Sequence, residues 1–205
     1  LPEEIARAMN SAQATSKWRM QRTDRADGVT IINDAYNANP ESMTAALQTL
    51  AQLGRLPSTN RTWAVLGAML ELGERSLFEH DRIGQLAVRM NISKLIAVGD
   101  VAKPIYNTAH LEGSWGNEAT WVATPEEAFA LLQGEAQPGD IVLFKSSNGA
   151  GLGALGQRVA DFEGNLTLTD ETTAASWLSA GDFVGTLDSF NGEETDSSPS
   201  TSTNS

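Results

Sequence analysis

The sequence contains no cysteine and only two histidines, His80 and His110, among 205 residues. Disulfides, thiol nucleophiles and cysteine-bound zinc are therefore excluded, and neither histidine has the partners that a histidine-built metal centre needs. The phosphate-cradling sequence G-x-x-x-x-G-K-[ST] is also missing, so the chain cannot hold ATP phosphates in that standard way by itself. No run approaches the roughly eighteen consecutive apolar residues of a spanning helix. The first residues, LPEEIARAMN, are acidic rather than a basic leader, which places the expected location in the cytoplasm. Basic residues are absent from 161–205, where nine Asp and Glu stand. Residues 1–160 carry 17 acids against 14 bases, so most of the net charge of −12 belongs to the tail and the body is nearly neutral. An acidic chain without a basic stripe repels phosphate backbones, which argues against nucleic acid and anionic membranes as partners.

What the chain does have is an alternation of strand-like and helix-like segments. VTIIND (29–34) is a β-branched run, and Asn39-Pro40-Glu41 then reads as a helix N-cap, a first-turn proline and a first-turn acid. Met43, Ala46, Leu47 and Leu50 follow at helical spacing. TWAVLG (62–67) is a second strand, and Ile83, Leu86, Ala87 and Met90 mark a second helix. LIAVG (95–99) precedes a short helix near 101–109, with His110 in the following turn. TWVAT (120–124) leads into a capping box at Thr124 and Glu127 that opens a helix over 125–133. DIVLFK (140–145) and a helix over about 152–162 complete the series. Apolar strands separated by helices predict a single Rossmann-like three-layer α/β domain, with a mostly parallel sheet of about six strands and helices on both faces. Residues 1–14 read as a helix or linker from a preceding domain, 15–164 as the domain itself, 165–190 as an extension of uncertain structure, and 191–205 as a disordered acidic tail rich in Ser and Thr.

In such sheets ligands gather at the carboxyl ends of the strands, which directs attention to the loops at 34–40, 67–76, 99–104 and 145–153. In NDAYNANPES (33–42), Asp34 is expected at an exposed loop start. Tyr36, Asn37 and Asn39 cluster behind it, offering acceptors and amides suited to ribose hydroxyls or a purine edge; capping alone is the alternative. LGAMLELGERS (66–76) holds Glu71 and Glu74, which read either as an acid/base pair or as helix-dipole partners. Lys145, Ser146, Ser147 and Asn148 end the last strand as a carboxylate or phosphate site, or as a solvated turn. Gly151, Gly153 and Gly156 form G-x-G-x-x-G, which fits either an NAD fingerprint or glycines that admit close helix–sheet packing. His80 falls early on its helix, near the ligand edge of the sheet.

Taken together, INDAYNANPESM, VLGAMLELGERSLFEH and VLFKSSNGAGL resemble the C-terminal domain of the Mur ligases over roughly residues 15–162. The resemblance is to the branch that adds D-alanyl-D-alanine to UDP-N-acetylmuramoyl-tripeptide in peptidoglycan synthesis, because Tyr36-Asn37-Ala38-Asn39-Pro40 stands where related ligases carry a His-bearing loop. It implies an ATP-dependent amide ligase of three domains, whose missing N-terminal and central domains hold the UDP-sugar, the phosphate-binding lysine and most of the Mg2+ ligands. The resemblance further implies that the present domain closes over ATP and brings the D-Ala-D-Ala, with no catalytic residue and no metal ligand of its own. The resemblance assigns Asp34, Tyr36, Asn37 and Asn39 to the nucleotide, and Lys145, Ser147, Glu71 and Gly73 to the substrate side of the cleft. Two positions depart from the family pattern: Ala68 stands where Asp is common, and Lys145-Ser146-Ser147-Asn148 where Lys-Gly-Ser-Arg is common. A stand-alone, non-catalytic nucleotide-binding or regulatory module and an NAD-dependent oxidoreductase domain are the alternatives.

Overall fold

The computed structural model describes residues 17–113 and 118–162. The readings for 1–14, 165–190 and 191–205 lie outside the described residues. Six strands form one sheet: β1 (Gln21–Asp24), β2 (Thr30–Asn33), β3 (Thr62–Leu66), β4 (Lys94–Val98), β5 (Ala119–Val122) and β6 (Ile141–Lys145). Their order is β1-β2-β6-β3-β4-β5, with every neighbouring pair parallel except β1 and β2. The helices are α1 (Pro40–Leu53), α2 (Ser76–Arg89), α3 (Lys103–Glu112), α4 (Pro125–Glu135) and α5 (Leu152–Ala160).

Alternation along the strands builds two cores. Ile32, Ala64, Leu66, Leu95, Ala97 and Leu143 face the layer of α1, α2 and α3, whereas Ile31, Trp63, Val65, Ile96, Val142 and Phe144 face α4 and α5. Burial on both faces explains why the central strands read as continuous apolar runs. Both anticipated capping boxes are present: Asn39 pairs with Ser42 at the start of α1, and Thr124 with Glu127 at the start of α4. Two elements differ from the sequence reading. The strand β1 is short, polar and partly exposed, and β-branched alternation does not mark it. The third helix runs on to Glu112, so His110 lies within it and stacks on Tyr106 at 5.5 Å rather than in a turn.

An ion pair brackets each end of β6. Before the strand, the fully buried carboxylate of Asp140 accepts from Arg61 Nε at 3.1 Å and Nη2 at 2.6 Å, from the Trp63 indole at 2.9 Å and from the Gln137 amide at 2.9 Å. The hydrogen bond to Asp140 is the main reason that the Arg61 guanidinium is held above its ordinary pKa. After the strand stands Lys145, which belongs to the site.

Candidate functional site

Because β6 lies between β2 and β3, its end separates the loop after β2 from the loop after β3 and bonds to both. Asp34 N–H donates to the Phe144 carbonyl, Gly67 N–H to that of Lys145 and Ser147 N–H to that of Ala68, each at 2.9 Å. The Ser147 hydroxyl accepts from Leu70 N–H at 3.0 Å and donates to the Ala38 carbonyl at 3.4 Å. Lys145, buried to 2% exposure, forms an ion pair with Asp34 Oδ2 at 2.8 Å and donates to the carbonyls of Asn37 at 2.8 Å and Asp34 at 3.3 Å. Lys145, Ser146 and Ser147 are all buried, and Asn148 is the exposed member of the four. The solvated turn that the sequence allowed is thus not what this strand end forms.

Asp34 is half-buried and engaged, not an exposed loop start: its Oδ1 also accepts from Met20 N–H at 3.0 Å. Beyond it Ala35 and Ala38 point inward, while Tyr36, Asn37 and Asn39 are exposed. Arg19 lies over the Tyr36 ring at 4.4 Å, and Tyr36 N–H donates to the Trp18 carbonyl at 3.1 Å, so the segment before β1 lies across the base of this loop. Sequence reasoning passed over that segment, whose only local signal was a lone aromatic.

The loop after β3 is shaped differently. Glu71 takes a left-handed backbone with φ 65° and is exposed, as are Gly73 and Glu74, and a 3₁₀ turn over Gly73–Arg75 leads into α2. Neither Glu71 nor Glu74 contacts the Asp34–Lys145 cluster through a hydrogen bond or ion pair. His80 is fully buried: its Nε2 accepts from Met69 N–H at 3.0 Å and its Nδ1 lies 2.7 Å from the Ser76 carbonyl. A carbonyl only accepts and an amide only donates, so these contacts select the neutral Nδ1–H tautomer and fasten the loop to its helix. Leu70, Leu77, Phe78 and Val101 leave apolar side chains exposed along the same edge of the sheet.

Of the three motif glycines after β6, one makes a turn and two are closely packed. Gly151 turns the chain with φ 77°. A Cβ on Gly153 would lie 2.3 Å from the Trp18 ring, and one on Gly156 would lie 2.6 Å from Asn33 Nδ2, which donates to the Gly153 carbonyl at 2.9 Å. That is the close-approach use of glycine. Among the described residues no group of three or more His, Cys, Asp or Glu side chains could hold a metal, and no helix is long and apolar enough to cross a membrane.

Comparison with known proteins matches residues 18–148 to the family described as Mur ligase, glutamate ligase domain. A UDP-N-acetylmuramoyl-tripeptide–D-alanyl-D-alanine ligase of Mycobacterium tuberculosis is 51% identical over 167 residues, covering 75% of this chain and 33% of that protein. The ligase of the same name from Bacillus subtilis is 30% identical over 150 residues, covering 72% of this chain and 31% of its own. Among solved structures, MurF from Acinetobacter baumannii superposes with a TM-score of 0.63 at 29% identity, over 78% of this chain and 34% of that one. The chain thus spans about one third of the length of these relatives. With the family pattern covering both loops and the strand end between them, the chain belongs to the Mur ligase family, through its glutamate ligase domain.

Proposed function

We propose that the chain is the C-terminal domain of an ATP-dependent ligase that joins D-alanyl-D-alanine to UDP-N-acetylmuramoyl-tripeptide. In this role it covers the nucleotide and positions the incoming dipeptide. The observation that carries the reading is the polar group gathered at the carboxyl edge, with Asp34, Tyr36, Asn37 and Asn39 on one loop held against the end of β6. A carboxylate offers about four acceptor sites, of which Lys145 and Met20 take two on Asp34. Asp34 therefore retains capacity for ribose hydroxyls, and the exposed Asn37 and Asn39 side chains supply both donors and acceptors. The apolar side chains exposed along this edge suit a surface that closes on a neighbouring domain.

In the ligase reaction ATP phosphorylates the tripeptide carboxylate, and the dipeptide amine displaces phosphate from the acyl phosphate. This domain contributes orientation and exclusion of water, not a reacting group. The magnesium that accompanies ATP is assigned chiefly to the preceding domains. On the substrate side of the cleft the exposed 71–73 turn is free to meet the dipeptide, whereas the buried Ser147 hydroxyl spends its one donor on Ala38 and keeps only an acceptor lone pair.

The test is steady-state kinetics of the full-length ligase with Asp34→Asn. Loss of a charge-assisted hydrogen bond should raise the KM for ATP about tenfold and leave that for the dipeptide within about twofold. An unchanged KM for ATP in an active, folded variant removes the nucleotide assignment of this loop.

A further inference from the structure

We propose that Lys145 is a positioning residue for the loop 34–39, acting through the Asp34 carboxylate and two main-chain carbonyls and touching no ligand itself. Its kinetic consequence rests on the nucleotide reading above; its structural part does not. An ammonium has three N–H donors, and Lys145 has three acceptors within reach: Asp34 Oδ2, the Asn37 carbonyl and the Asp34 carbonyl. At 2% exposure no donor is left over for a dipeptide carboxylate, the role that the family resemblance implied.

The arrangement does three things. Gripping the carbonyls of residues 34 and 37 closes a four-residue ring, which turns Ala35 and Ala38 inward and leaves Tyr36 and Asn37 outside. Binding one carboxylate oxygen while Met20 N–H binds the other fixes the plane of the Asp34 carboxylate before any ligand arrives. The buried positive charge also offsets Asp34, so that the loop does not present a bare carboxylate to a polyanionic triphosphate. A lysine suits this task better than an arginine because its three donors diverge from one point, whereas a guanidinium offers a planar fork.

The near-isosteric variant Lys145→Met separates the possibilities. In the 205-residue chain, amide hydrogen exchange at Met20 and across Tyr36–Ala38 should rise at least about tenfold, while Ala64 and Val65 in β3 keep their protection. In the full-length ligase the KM for ATP should rise about tenfold, with that for D-alanyl-D-alanine within about twofold. Unchanged exchange in the loop overturns the proposal, as does a raised dipeptide KM with an unchanged ATP KM and a quiet loop, which would make Lys145 a dipeptide ligand. Faster exchange with an unchanged ATP KM upholds the positioning and overturns the nucleotide reading instead. If Lys145→Met does not melt cooperatively, Asp34→Asn/Lys145→Met leaves no buried charge unpaired and carries the exchange measurement. Native-like exchange in that double variant also overturns the proposal.

Discussion

The two ends of β6 carry ion pairs of similar length and opposite exposure. At the amino end the acid is sealed and the base is open: the Asp140 side chain is 0% exposed and that of Arg61 25%. At the carboxyl end the base is sealed and the acid is open: the Lys145 side chain is 3% exposed and that of Asp34 18%. A sealed acid ringed by an arginine, an indole and an amide has its bonding satisfied by the chain itself. An acid held from behind by a sealed lysine keeps part of its bonding for something outside the chain. The first pair reads as fixing the fold and the second as presenting a group to a ligand.

The largest expected effect tests the structural end. Asp140→Ala leaves the Trp63 indole and the Gln137 amide without their acceptor, while the open Arg61 keeps the Glu135 carbonyl, and should lower the stability of the 205-residue chain by about 3–5 kcal/mol, read as a melting temperature roughly 10 °C lower. In the full-length ligase at a temperature where it remains folded, the KM for ATP should not change. A small stability loss there would erase the contrast between the two ends. Asp34→Ala should cost about 3 kcal/mol, because the sealed Lys145 loses its counter-charge and keeps only its two carbonyl acceptors. It should raise the KM for ATP roughly ten- to hundredfold, and a variant that melts early with normal ATP kinetics would make this pair structural too.

Gly156→Ala drives a methyl group into Asn33, the residue directly before Asp34, and should cost about 1–3 kcal/mol by overpacking. It should also raise the KM for ATP, which Asp140→Ala of greater stability cost should not. Comparing these two variants sharpens the claim that damage at the carboxyl edge is read by the nucleotide and damage at the amino edge is not. The smallest effects come from the two capping boxes, where Asn39→Ala and Thr124→Ala should each cost about 1 kcal/mol by thermal melting. Only Asn39→Ala should alter ATP affinity; equal kinetics for both would reduce Asn39 to a cap.

Among the described residues, five of the six strands and all five helices were legible because each depends on its neighbours in sequence. Periodicity marked Met43, Ala46, Leu47 and Leu50 as one face of α1, and the Thr124–Glu127 box set the start of α4 to the residue. The strand β1 was not legible, since QRTD earns its place by pairing with Thr30–Asn33 and not by its own apolar pattern. The loop at 34–39 could be found as polar residues at a strand end. The role of Lys145 could not, because its partners lie 108 and 111 residues earlier and meet it only when β6 sits beside β2. From sequence alone, a lysine at a strand end looks like a hand held out to a ligand. The glycines after β6 failed as a fingerprint for the same reason, since the Trp18 ring that fills the space at Gly153 lies far upstream.

The strand order also sets a timetable. As the last strand in the chain, β6 takes the middle of the sheet, between β2 and β3. Without β6, the native pairings leave β1 with β2 in one ribbon and β3 with β4 and β5 in another, each with an open edge where Ile141–Lys145 belongs. A chain halted before residue 140 has no means of joining them, and its two unpaired edges are templates for association with other copies. The strand that arrives last carries an acid at one end and a base at the other, each with its partner already placed, and so enters with its direction and register marked.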